Sequence, residues 1–422
     1  SWPNGKVKLS GDTINGLKEG EWSEWYDTGI SWTKGAYEKG EKVGLWKYWY
    51  KDGTKWSEIS MFNGPCISWY PNGGQKKKGD VKEGEKEGTW EYWYNNGKGK
   101  KLTNYESGVL NGPIKEWLLD GTLSFEGSYK DGKLHGYCTW YFENAAKEME
   151  GNMVMEKHDG LWTFYYDNGN KGSQGPFVDG LQEGIWTYWY EEGQKLRTGN
   201  YIAGKRNGNW VIWYENGAKE HEGTFINGKE SGIWTSWYPC AAPCKDTHGA
   251  INDQGTFTDG EIDANWKGWY ENGTLRYDNN YKKNLKHGSW KRWHENGKSA
   301  YFGNYKEGML DGEWIEWYDC KQPCRSETGI MKEKGNYKEN KKDGLWVYYY
   351  QDGNMYQQQS YVNGNQDGEW LEWYEHGSQS VIGYYSNGVK DKKWTYFRTN
   401  GQKAYELMFK KGEKIKEKTF KK

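Results

Sequence analysis

A glycine recurs every 24 residues along this sequence, each time heading the same short pattern, Gly-x-Trp-x-x-Trp-Tyr-x-Asn-Gly. It stands at Gly20, Gly44, Gly64, Gly88, Gly112, Gly136, Gly160, Gly184, Gly208, Gly232, Gly288, Gly312, Gly344 and Gly368. Ala264 and Lys392 take its place in two degenerate copies. The sixteen copies are spaced by 24, except once by 20 (Gly44 to Gly64) and twice by 32 (Gly232 to Ala264, Gly312 to Gly344). Self-similarity at one period means stacked repeats that bury a continuous core together. The expected organisation is a single continuous array over 1–422, with a partial repeat at each terminus.

The repeat unit predicts strands. Asn-Gly or Asp-Gly follows the second aromatic at Asn4-Gly5, Asp52-Gly53, Asn72-Gly73, Asn96-Gly97, Asp120-Gly121, Asn168-Gly169, Asn216-Gly217, Asn272-Gly273, Asn296-Gly297, Asp352-Gly353 and Asn400-Gly401. That dipeptide suits a two-residue hairpin turn in which both central residues have positive φ. Trp, Tyr and Phe on its flanks are good strand formers, and glycines every few residues exclude a long helix. The fold class expected is all-β, a solenoid-like elongated antiparallel sheet of about sixteen stacked hairpins. Sixteen hairpins make about 32 strands, spaced ~4.8 Å apart.

Aromatics form 18% of the 422 residues, with 29 Trp and 35 Tyr, so rings must build the core. Side chains alternate across a strand, which separates two aromatic rows. The first row is Trp22, Trp46, Trp90, Trp162, Trp186, Trp210, Trp234, Trp266, Trp290, Trp314, Trp346, Trp370 and Trp394, with Cys66, Ile114 and Cys138 replacing Trp in three copies. It is expected to be the buried ladder. The second row is Trp25, Trp49, Trp69, Trp93, Trp117, Trp189, Trp213, Trp237, Trp269, Trp293, Trp317 and Trp373, with Tyr141, Tyr165, Tyr349 and Phe397 in the remaining copies. Either both rows are core, or the second lines a groove or an association surface, as exposed apolar patches do.

Charge is balanced, 58 basic against 59 acidic residues, so no basic field for nucleic acid emerges. No stretch approaches 18 apolar residues, which excludes a transmembrane helix. The chain opens on Ser1 without a signal-peptide pattern, as expected of a processed chain or part of a longer one.

Six cysteines fall into two groups. Cys240 and Cys244, and Cys320 and Cys324, are two Cys-x-x-Pro-Cys motifs placed where an Asn-Gly turn is due, with insertions near 240–250 and 320–330. The loops lie three hairpins apart, roughly 29 Å at ~4.8 Å per strand, too far to bond one another. A disulfide within each loop is expected, and with it an oxidising compartment. Free thiols in a cytosolic protein are one alternative, and zinc on Cys240, Cys244 and His248 is another, weakened by the absence of a matching histidine in the second loop. Cys66 and Cys138 read as buried small residues of the first row.

No constellation indicates catalysis or a cofactor. His135, His158 and His287 fall at different phases of the repeat. Glu21 and Glu24 read as wetted surface, and Asn272-Gly273-Thr274 matches a glycosylation pattern only where it overlaps a turn.

Two segments carry a family signature: Gly44-Leu45-Trp46-Lys47-Tyr48-Trp49-Tyr50-Lys51-Asp52-Gly53, and Gly199-Asn200-Tyr201-Ile202-Ala203-Gly204-Lys205-Arg206-Asn207-Gly208-Asn209-Trp210. They resemble the MORN repeat, in the variant form found in many bacterial proteins. The resemblance implies a β-hairpin array. It also implies roles such as membrane-associated scaffold, partner-binding module or antitoxin component of a bacterial toxin system. This chain departs from such relatives in its length and in having no second domain beside the repeats.

The ends are complementary halves of one repeat. Trp2-Pro3-Asn4-Gly5 matches the close of a strand and its turn, and Glu413 to Lys422 matches a strand that stops before its Asn-Gly. Lys410 to Lys422 holds seven Lys and two Glu, a charge pattern that discourages edge pairing. The expected function is a non-enzymatic, exported structural or binding scaffold, at the cell surface or outside the cell, with itself (head to tail, as a fibre) or another protein as partner. A cytosolic antitoxin that blocks a toxin is the alternative.

Overall fold

The computed structural model describes residues 1–240, 248–319 and 329–421. These hold 36 strand segments and no helix, so the protein is all-β. The sequence shows no linker near residue 205, yet the chain groups into two compact units, Ser1–Lys205 and Arg206–Lys422. Within each, strands that follow one another in the chain pair antiparallel, and hairpins add in chain order. The first unit opens with β1 (Leu9–Ile14), β2 (Leu17–Trp25), β3 (Ser31–Glu38) and β4 (Glu41–Trp49). β1 pairs with β2, β2 with β3 and β3 with β4. The second unit follows the same rule, as where Lys341–Tyr349 pairs with Met355–Val362 and that strand with Asn365–Trp373. Segments exceed the expected 32 partly because two strands are interrupted, at Lys133–Leu134/Gly136–Tyr141 and Leu181–Gln182/Gly184–Trp189.

Two kinds of turn alternate, and the sequence reading placed the tight one at the wrong end of the hairpin. Around Asp52-Gly53, the Tyr50 amide donates to Thr54 O (2.8 Å) and the Gly53 amide to Tyr50 O (2.9 Å). Gly53 has φ +91°, whereas Asp52 is absent from the positive-φ residues. This is a three-residue loop, a type I turn closed by a glycine bulge. β4 accordingly stops at Trp49, two residues farther from the dipeptide than a two-residue turn requires. The turn with both central residues at positive φ joins β3 to β4 at Lys39 (φ 50°) and Gly40 (φ 87°).

The opening glycine of the repeat now has a physical role. Across β3 and β4 the register steps from Lys34↔Lys47 to Ala36↔Val43, so Gly44, Leu45 and Trp46 stand against Gly35 alone. This bulge needs a residue at positive φ, and Gly44 has φ +65°. The degenerate copies hold the same conformation without glycine, at Ala264 (φ 70°) and Lys392 (φ 58°), at a left-handed cost of roughly 1–2 kcal/mol. Ala264→Gly and Lys392→Gly should each stabilise the protein by about 0.5–1 kcal/mol once the greater freedom of glycine in the unfolded chain is deducted. Denaturant melts that show either substitution to be destabilising would contradict this account.

Candidate functional site

The bulge lays Trp46 flat on backbone. A Cβ on Gly35 would fall 2.3 Å from Trp46 Cδ2, so only glycine fits beneath the ring. Trp46 Nε1 donates to Ala36 O at 3.1 Å. Tyr37 stands edge-on between Trp22 and Trp46, at 5.9 and 5.0 Å. Lys18 and Lys42 cover the exposed faces of Trp22 and Trp46, their Nζ 4.3 and 4.1 Å from the ring centroids. In the second unit Gly335, Tyr337, Lys342 and Trp346 repeat the set, with Lys342 Nζ 3.8 Å from the ring and Trp346 fully buried. Lysines thus cover Trp22, Trp46 and Trp346, through cation–π contact and aliphatic stems.

The structure buries Trp22, Trp46, Trp90, Trp162, Trp186, Trp210, Trp290, Trp346 and Trp394. Trp234, Trp266, Trp314 and Trp370 are half-buried. In three of these four the indole N–H has turned from backbone to carboxylate: Trp266 to Asp253 Oδ1, Trp314 to Glu333 Oε1 and Trp370 to Glu372 Oε1. In two of the three copies where the ring is missing, the residue beneath it has grown, while Gly127 remains beneath Cys138. Ile59 faces Cys66 and Thr103 faces Ile114, where glycine serves a tryptophan. Cys66 and Cys138 are buried free thiols, and burial pushes both above the usual thiol pKa.

The second row is half-buried at Trp25, Trp49, Trp69, Trp93, Trp117, Trp189, Trp213, Trp269, Trp293, Trp317 and Trp373. Trp237 is buried, with His248 stacked on it at 5.2 Å. In the second unit Trp373, Phe397, Tyr350, Tyr356, Tyr374, Tyr396 and Tyr405 line a cavity of about 650 Å³. In the first unit the outer face pairs Lys115 with Glu126 (3.1 Å) and Lys147 with Glu150 (2.7 Å). Hydrogen bonds from Tyr141 and then Lys115 hold Glu126 below the usual carboxylate range.

Hydrogen bonds along both ends of the hairpins tie one repeat to the next, and the sequence reading missed them. Where a tyrosine follows the second-row aromatic it reaches the following repeat: Tyr26 Oη donates to Trp49 O (2.9 Å) and Tyr350 Oη to Trp373 O (3.0 Å). Turn asparagines do the same, Asn72 Nδ2 to Asn95 O and Asn96 Nδ2 to Leu119 O. At the other end the Gly40 amide donates to Lys18 O and the Lys39 amide to Glu19 Oε2. The lysine lid had a signal, since Lys18, Lys42, Lys86, Lys286, Lys342 and Lys390 each stand two residues before the opening position.

Among the described residues no group of three or more His, Cys, Asp and Glu side chains could hold a metal ion. His248 Nδ1 lies 2.9 Å from Gly249 O. The expected bridges Cys240–Cys244 and Cys320–Cys324 depend on Cys244, Cys320 and Cys324, which lie outside the described residues. No helix among the described residues is long and apolar enough to cross a membrane.

Tyrosine burial sets an alkaline limit. Burial first, then the bond to Glu126, pushes Tyr141 up to about 12, and burial with Glu150 does the same to Tyr165. Burial raises Tyr337 to about 12, and burial with the Tyr348 bond raises Tyr361 equally. Below pH about 10 these phenols are neutral in both states, and their contribution to stability is complete. Between pH about 10 and about 12 the unfolded chain ionises first, so stability falls as pH rises through that window. Denaturant midpoints measured across it should decline with the appearance of tyrosinate absorbance; an unchanged midpoint up to pH about 12 would refute the effect.

The MORN repeat variant family matches residues 86–107, 159–179, 182–203, 262–283, 286–307 and 342–363. No curated protein matches the chain significantly. Among solved structures, the crystal structure of TcdB2-TccC3-Cdc42 aligns at 11% identity over 96% of this chain and 26% of that chain, with TM-score 0.14. That of TcdB2-TccC3 aligns at 10% identity over 96% and 27%, with TM-score 0.15. The chain thus spans about a quarter of the length of each, and TM-scores this low assign neither fold nor function. The matched segments lie in both units, and each joins strands of the hairpin pattern seen throughout; the chain is a MORN-repeat protein.

Proposed function

We propose that the chain is a non-enzymatic scaffold that works by binding other protein. One observation carries this: the repeat presents a row of half-buried aromatics at regular spacing on one face, opening in the second unit into the 650 Å³ aromatic cavity. Concave aromatic surfaces of this kind are where proteins take partners. In its finer form the scaffold is exported and assembles head to tail into an extracellular fibre. β1 is exposed along its whole length and pairs only with β2 among the described residues. Glu413–Thr419 is likewise exposed and pairs only with Lys403–Lys410. Free strand edges accept further strands. The lysines of Glu413–Thr419 oppose this unless acidic residues such as Asp12 and Glu19 of another copy face them.

Sedimentation and negative-stain imaging over a concentration series test the fibre. Particles should lengthen with concentration, and deleting residues 411–422 should stop the growth while the β circular-dichroism signal persists. A full-length chain that stays monomeric throughout ends the fibre form. The second reading is an antitoxin whose aromatic row covers a toxin; the cavity in the second unit favours it. Thiol titration of the denatured, unreduced protein separates the two: two reactive thiols, Cys66 and Cys138, accord with export, and all six cysteines with the antitoxin.

A further inference from the structure

Departures from the repeat converge between Ile262 and Tyr301 in the second unit. Ile262 stands where Lys42 and Lys286 form the lid. Gly268 and Arg292 stand where Tyr48, Tyr92 and Tyr348 lie in other repeats. Asn279 replaces the glycine beneath the tryptophan, the place of Gly255 and Gly303 in the adjoining repeats. The result is a cavity of about 300 Å³ in the aromatic ladder, walled by Trp266, Tyr277, Tyr281 and Tyr301, with Asn279 and Arg292 among its lining residues. Tyr277 lies across Gly268, where a Cβ would fall 2.3 Å from its Cζ.

Two polar groups in this lining lack partners. Asn279 is 6% exposed, and its buried Oδ1 has no hydrogen-bond partner among the described residues. A buried acceptor without a donor is unfavourable and marks a place for a ligand donor. Arg292, exposed at the rim, forms no ion pair or hydrogen bond among the described residues. The nearby Arg276 is engaged by Tyr238 Oη and Asn252 Oδ1, and Asp253 by the Trp266 indole.

We propose that this cavity binds a single acidic saccharide ring. Its volume is at the small end of ligand sites, room for one ring and not a chain. Aromatic walls suit the C–H faces of a pyranose, and three tyrosine hydroxyls can donate to or accept from its hydroxyl groups. Asn279 Oδ1 accepts a hydroxyl proton, and the Arg292 guanidinium receives the carboxylate in a two-point bond. The proposal is independent of head-to-tail assembly, because none of these residues lies on an edge strand.

Calorimetric titration of the full chain with glucuronic acid, a glucuronate-containing tetrasaccharide, glucose and benzoate tests it. Either glucuronate probe should bind, the two arms separating a free ring from a glycan end, with glucose weaker and benzoate absent. Asn279→Gly installs the residue of the adjoining repeats, and Arg292→Tyr restores the ring found at Tyr48 and Tyr92, so both variants keep the repeat pattern. Each should weaken glucuronate binding at least about tenfold with thermal unfolding unchanged. Failure of both glucuronate probes to bind, undiminished binding by both folded variants, or tighter binding of benzoate than of glucuronate would each overturn the proposal.

Discussion

Trp162→Ala should lose roughly 3–5 kcal/mol of stability, the range for deleting a fully buried aromatic. Trp162 is 0% exposed and packs against Trp140, His158, Phe164 and Phe177 at centroid distances of 5.9, 3.9, 6.0 and 6.4 Å. Its indole N–H also satisfies Asn152 O at 2.9 Å, and that carbonyl would be left without its donor. In a repeat array each hairpin answers mainly to its neighbours, so the damage should be local. Hydrogen exchange should accelerate most across Lys147–Val154, Lys157–Tyr165 and Lys171–Val178, and little at Leu9–Ile14. Trp314→Ala should lose less, because that ring is half-buried and its N–H already meets a carboxylate. A loss below about 1 kcal/mol at Trp162 would mean that the first row is not what holds the hairpins together.

Gly151→Ala should destabilise the same site from beneath. A Cβ there falls 2.4 Å from Trp162 Cδ2, and the ring is pinned by its hydrogen bond and by burial on every side. Overpacking of this kind costs about 1–3 kcal/mol. The protein itself supplies the rescue. At Thr103 and Ile114 it carries a larger residue below and a smaller one above, and both are buried to 1% exposure. Gly151→Thr combined with Trp162→Ile should therefore be more stable than the two single losses predict, a coupling a double-mutant cycle measures directly. Strict additivity would show that the glycine and the ring are not one packing unit.

The all-β class was legible because it follows from local chemistry. A period of 24, turn dipeptides and alternating aromatics leave few other solutions. The tight turn was misplaced because Asn-Gly serves two turn types. Here the asparagine side chain reaches the next repeat (Asn72 to Asn95 O), and the glycine closes a three-residue loop. The cavity near Asn279 was not legible, because nothing local says that Ile262, Gly268, Asn279 and Arg292 meet.

The amino-acid sequence alone determined the repeat, the strand composition, the two aromatic rows and the MORN resemblance, since each rests on residues close together in the chain. Only the tertiary structure decided why the opening glycine exists. The bulge that tips Trp46 onto Gly35 is a register step between two strands, and register is set by hydrogen bonds across the sheet. Tertiary structure also decided that lysines cover rings of the ladder such as Trp46 and Trp346, and that the chain divides into two compact units. Those outcomes depend on which side chains a strand finds beside it, and a repeat of 24 residues records that only after the strands have paired.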